Sequence, residues 1–95
     1  MPNEPSLQSP IIIDVRSPME YASGHVEGSV NLPLGQFVDS YSNVIHDKEE
    51  KVIVYCASGA RSGQAVQFLM AQGYVNAVNG ISCHNVASRL NKPVV

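Results

Sequence analysis

The apolar positions of this chain change period several times, and each change marks an element. Ile11 to Val15 is a short unbroken run rich in β-branched residues, the pattern of a parallel strand covered on both faces. Ser17, Pro18 and Glu20 then supply an N-cap hydroxyl, a proline at the first helical position and a glutamate three residues past the cap, a capping box that opens a short helix ending at Gly24. Val26 to Pro33 is punctuated by glycine, with room for one short strand at Ser29 to Asn31. Leu34, Phe37, Val38, Tyr41 and Ile45 fall at offsets of 0, 3, 4, 7 and 11, which is one face of a helix. Asp47 to Lys51 is a charged turn, and Lys51 to Tyr55 is a strand that delivers Cys56.

Beyond a small-residue loop, Val66, Leu69, Met70 and Gly73 share a helical stripe beside Ala65 and Phe68, with Gly73 as the C-cap. A stripe of this kind is core packing. Val75 to Asn79 is predicted as the last strand and Ser82 to Leu90 as the last helix. Strands alternating with helices predict an α/β fold: a small parallel sheet with helices on both faces.

The segment Val52 to Gly63 adds chemistry to that frame. A strand runs into Cys56, then into Ala57, Ser58, Gly59 and Ala60, then into Arg61 and Ser62 at the mouth of a helix. Unpaired N–H groups and the positive end of the helix dipole face back towards the thiol, an arrangement that favours thiolate. Helix N-termini and neighbouring Arg lower a cysteine pKa from about 8.5 into a range of roughly 3.5 to 7.5. Gly59 can take positive φ, the other loop residues are small, and Ser62 is a candidate N-cap. The bland alternative is a buried core thiol at a strand end, but a core cysteine has no need of Gly and Arg at these offsets.

At 95 residues the chain has room for one domain, and its 44% hydrophobic content suits a globular core. A net charge of -2 with scattered basic residues argues against nucleic acid as a partner. No apolar run approaches a membrane span, and Met1-Pro2-Asn3-Glu4 lacks the basic start and apolar middle of a secretion signal, so the expected location is the cytoplasm. Two cysteines, Cys56 and Cys83, do not make a disulfide framework. The cysteines and histidines lack the paired spacing of a zinc site, so neither metal nor cofactor is expected.

Cys56-Ala57-Ser58-Gly59-Ala60-Arg61-Ser62 closely resembles the active-site loop of rhodanese-like sulfurtransferases, Cys-x-x-Gly-x-Arg followed by Ser or Thr. Upstream, Asp14-Val15-Arg16, Glu20-Tyr21, Gly24-His25-Val26-Glu27-Gly28-Ser29 and Asn31-Leu32-Pro33 are similar to the same family's pattern of Asp-Val-Arg, Glu-Tyr, Gly-His-Ile-x-Gly-Ala and Asn-x-Pro. The resemblance implies a rhodanese-like sheet of four to five parallel strands over residues 11–90, after a lead-in at 1–10 and before a tail at 91–95. Family members carry a further strand and helix ahead of Asp-Val-Arg, so the N-terminal element is expected to be shortened.

The resemblance further implies sulfur transfer through a persulfide on Cys56, with Arg61 closing the loop and meeting a small anionic sulfur donor. The acceptor is a thiol or cyanide, a protein persulfide is a candidate partner, and the chain is a monomer or a weak homodimer. Asp14 and Arg16 either support the loop or, for Arg16, line the pocket, and His25 supports the fold. At Asn79-Gly80-Ile81-Ser82-Cys83-His84 the family often shows Gly-Gly-Ile-x-Ala-Trp. Cys83 stands at the small residue, either as a resolving thiol or as a slightly larger alanine, and His84 stands at the aromatic one, where it could shape the pocket wall.

Two other classes compete. A non-catalytic rhodanese-like binding module typically lacks the cysteine, which is present here. Cysteine phosphatases and arsenate reductases place Cys and Arg on a similar turn with spacing Cys-x5-Arg, whereas this chain has Cys-x4-Arg, a smaller cradle with no Asp placed as general acid.

Overall fold

A computed structural model describes residues 10–95; the lead-in at 1–9, including any shortened N-terminal element, lies outside the described residues. The elements run β1 (Ile11–Asp14), α1 (Pro18–Ala22), β2 (Val30–Asn31), α2 (Leu34–Ser40), a 3-10 turn (Tyr41–Asn43), β3 (Val52–Cys56), α3 (Ala60–Ala71), β4 (Ala77–Ser82) and α4 (Cys83–Leu90). All strand pairs are parallel, in the order β2-β1-β3-β4, so the strand carrying Cys56 is central.

Alternation along the central strands divides the core into two layers. Ile13 and Val15 with Val52, Val54 and Cys56 face one side, where Phe37 of α2 and Ala65, Val66 and Leu69 of α3 cover them. Ile12 and Tyr55 face the other, against Val26 and against Val86 and Ala87 of α4. Burying one such apolar side chain contributes roughly 1.5–3 kcal/mol, so the sheet is held from both faces as the sequence pattern requires.

The capping box at α1 forms in both directions, with the Glu20 amide donating to Ser17 Oγ at 3.2 Å and the Ser17 amide donating to Glu20 Oε1 at 2.9 Å. Gly73 (φ 98°) follows α3 and ends it, its amide bonded to the Met70 carbonyl at 3.0 Å. Three details differ from the periodic reading. The face expected over residues 34–45 breaks after Ser40, because Tyr41 starts a tighter turn whose ring packs on Phe37, Phe68 and Tyr74. Val38 and Met70, each on an expected core stripe, are 58% and 56% exposed. The last strand starts at Ala77 rather than Val75, because the Val75 amide turns to the Lys48 carbonyl at 3.3 Å instead of joining the sheet.

β4 also carries a bulge. Val54 pairs with Asn79 but Tyr55 with Ile81, so Gly80 is the extra residue. A Cβ at Gly80 would lie 2.4 Å from Val86 and 2.8 Å from Ile53, so only glycine lets α4 approach this closely. Ile81 beside it takes φ 78°, a conformation rare for a β-branched residue. At the other end, the tail pairs antiparallel with the segment after α1 through Val26 and Val94.

Candidate active site

β3 ends at the C-terminal edge of the sheet and puts Cys56 on the floor of the loop, 1% exposed, with Ala57, Ser58 and Ala60 exposed above it. The loop turns at Gly59 (φ 99°), which serves as the N-cap of α3 without a side-chain bond. Ser62 is therefore not the cap expected from sequence; it lies inside the first turn, where its amide donates to the sulfur and its hydroxyl lies within reach of it. Cys56 Sγ accepts from the Gly59 amide at 3.0 Å and the Ser62 amide at 3.4 Å, and lies 3.4 Å from the Ser62 hydroxyl. Burial alone would push the thiol up; the Ser62 hydroxyl and the amides of Ser62, Ser58 and Gly59 outweigh it and bring Cys56 down to about 7.

Arg61 does not close the loop onto the thiol. Its guanidinium grips Glu20 of α1 through two bonds, 2.8 Å to Oε1 and 3.2 Å to Oε2. The two side chains are 37% and 39% exposed, so the pair lies at the rim. The Arg61 bonds, joined by the Ser17 amide, lower the Glu20 carboxyl to about 2. Glu20 thus has a second role that its place in the capping box did not disclose, because its partner is 41 residues away.

Asp14 and Arg16 form a closed unit. Asp14 is fully buried and takes Arg16 Nε and Nη2 at 3.0 and 2.7 Å, while Arg16 Nη2 also donates to the Gly24 carbonyl at 2.6 Å. Asn31 Nδ2 donates to the carbonyls of Asp14 and Arg16, each at 3.0 Å. Nε and Nη2 thus tie Arg16 to Asp14 and to the Gly24 carbonyl, beside the loop. His25 stacks on Tyr21 at 3.7 Å and bonds to its carbonyl, a supporting position.

Cys83 and Cys56 lie on opposite faces of the sheet: Cys83 packs with Ile12, Val26 and Tyr55, Cys56 with the α3 layer. His84 is exposed on α4. Asn79, which the sequence reading did not single out, reaches the loop instead. Its Nδ2 donates to the Gly59 carbonyl at 3.0 Å, and its Oδ1 accepts from the Ser62 hydroxyl at 2.6 Å and the Ile81 amide at 2.9 Å. The one signal for it was a carboxamide at the end of an apolar strand run. Among the described residues, no group of three or more His, Cys, Asp or Glu could hold a metal ion, and no helix is long and apolar enough to cross a membrane.

A parallel sheet with a cysteine thiol seated under helix-mouth amides is an α/β arrangement of the kind that can serve sulfur chemistry. The rhodanese-like domain profile matches residues 1–81. The chain is 37% identical over 75 residues to the thiosulfate sulfurtransferase PspE of Escherichia coli, covering 79% of this chain and 72% of that protein. It is 38% identical over 69 residues to a sulfurtransferase of Allochromatium vinosum, covering 73% of this chain and 63% of that protein. A solved rhodanese from E. coli superposes with a TM-score of 0.81 at 34% identity, covering 92% of this chain and 98% of that one. The chain belongs to the rhodanese-like family, and its relatives make it a sulfurtransferase.

Proposed function

We propose that the chain moves a sulfane sulfur from thiosulfate, or from a persulfide, to a thiol or cyanide, through a persulfide on Cys56. The observation that carries this reading is the pair of amide donors, Gly59 and Ser62, aimed at a thiol that the loop brings down to about 7. About half of the sulfur is then thiolate at neutral pH, ready to attack.

The Cys56 thiolate attacks the outer sulfur of thiosulfate. A sulfur–sulfur bond forms to Cys56 as the bond to the sulfonate sulfur breaks, and its electron pair leaves with sulfite. Charge is conserved, and Cys56 carries the anionic persulfide. The acceptor then attacks the outer sulfur, and the Cys56 thiolate departs as leaving group, returning the resting enzyme. The amides of the loop Ala57 to Ser62 stabilise the charge on the outer sulfur as preorganised donors stabilise an oxyanion. Arg61, held at the rim by Glu20, supplies a cation where a small anionic donor enters.

The test is mass spectrometry of the Cys56 peptide after treatment with thiosulfate. One sulfur atom should be gained, then lost to cyanide as thiocyanate, and Cys56→Ala should gain none. Absence of the gain with thiosulfate, 3-mercaptopyruvate and glutathione persulfide alike would leave the binding-module reading, and hydrolysis of a phosphoaryl ester in their place would reassign the chain to the phosphatases.

A further inference from the structure

We propose that Asn79 is a positioning residue for the Cys56 nucleophile that acts through Ser62, by holding the hydroxyl proton that the ionised sulfur needs. The proposal rests on the reading of Cys56 as the reactive thiol, and extends it to a residue on the neighbouring strand.

The Ser62 hydroxyl has one hydrogen and two claimants, Asn79 Oδ1 at 2.6 Å and Cys56 Sγ at 3.4 Å. While Cys56 is a thiol, its S–H can donate to Ser62 Oγ and the Ser62 O–H to Asn79, a satisfied chain. When the thiol ionises and its proton passes to solvent, the sulfur becomes an acceptor only. The Ser62 hydroxyl then turns to the sulfur and gives up Asn79. Asn79 Oδ1 keeps the Ile81 amide at 2.9 Å, so it is not left without a donor. The strength of Asn79 as an acceptor therefore sets how readily the thiolate gains its side-chain donor.

The surroundings place the carboxamide for this role. Its Nδ2 holds the Gly59 carbonyl at 3.0 Å, which sets amide oxygen and amide nitrogen unambiguously: the oxygen must face the hydroxyl. The side chain occupies a slot between Gly59 and Gly63, where a Cβ at Gly63 would come within 3.3 Å of Nδ2. Ile81 takes its left-handed conformation where its own amide meets Asn79 Oδ1. The charged groups from the packed elements are Arg61 of α3 paired with Glu20 of α1, and Asp14 of β1 paired with Arg16. β4 itself has no titratable side chain, and Tyr55 of β3 faces the opposite layer. Substitution at position 79 leaves those ion pairs in place.

The test is the pH dependence of iodoacetamide alkylation, read on the Cys56 peptide by mass spectrometry, in the wild type, Asn79→Ala, Ser62→Ala and the double variant, with thermal melts to establish folding. Asn79→Ala should move the midpoint down, because the hydroxyl is freed for the sulfur. Ser62→Ala should move it up, and the double variant should match Ser62→Ala. The same displacement by Asn79→Ala with and without Ser62, or none in either, overturns the proposal. Asn79→Asp, close in shape, is the second variant: a carboxylate holds the hydroxyl more firmly, so the midpoint should rise by about one unit and alkylation at neutral pH slow about fivefold. An unmoved midpoint there also overturns it. Alkylation reports on the thiol alone, so failure of sulfur transfer would leave these outcomes readable.

Discussion

The two cysteines stand at two similar junctions and have opposite surroundings. Each lies where a parallel strand gives way to a helix at the same edge of the sheet, Cys56 at the end of β3 and Cys83 at the start of α4. The difference lies in what takes the amides of the helix mouth. At α4 the Ser82 side chain accepts from the Asn85 amide at 3.1 Å, so a hydroxyl caps the helix and Cys83 turns to pack with Tyr55. At α3 the N-cap is Gly59, which has no side chain to offer, and the sulfur of Cys56 takes the amides instead. A missing cap leaves one thiol to take the amides of its helix; where a hydroxyl caps the helix, the other packs against the apolar layer of α4.

Four measurements break or sharpen that contrast. Cys56→Ser should lower sulfur transfer by a factor on the order of 10³ or more, as loss of a nucleophile does, while Cys83→Ala keeps the wild-type rate in the same steady-state assay. Equal losses in the two variants would erase the distinction. Next, the reactivity of Cys56 should follow a thiolate fraction with its midpoint near 7, rising about tenfold per pH unit below that and levelling above it. The sign for stability follows: the folded thiol sits below the unfolded value of about 8.5, so its contribution is full above that pH and is lost as pH falls towards about 7. Urea titrations on either side of neutrality, compared with Cys56→Ala, read this difference. Smallest is Ser82→Ala, which removes a real cap and should cost about 1 kcal/mol of unfolding free energy, with sulfur transfer unchanged at temperatures where the variant is folded.

Much of this was written in local residues. The apolar runs located β1 and β3, the Ser17 to Glu20 box opened α1, and Gly73 closed α3, because each rests on neighbours a few positions apart. Cys56 and its loop were legible for the same reason: strand, turn and helix mouth are consecutive. What escaped depends on contacts made across the fold. Glu20 meets Arg61 only once α1 is docked, and Asn79 meets Ser62 only once β4 lies beside β3. Val75 has the side chain of a strand residue, but its amide is claimed by Lys48, and Gly80 is required by the approach of α4 rather than by any turn.

The antiparallel clasp of the tail has a mechanical consequence. Val95 exchanges two bonds with His25, at 2.8 and 3.0 Å, and the Pro93 carbonyl accepts from Glu27 at 3.0 Å. His25 follows directly on Gly24, whose carbonyl anchors Arg16. Tension applied through these last residues would be delivered to the Asp14 and Arg16 pair, so an affinity handle joined after Val95 bears on the edge of the sheet that carries Cys56.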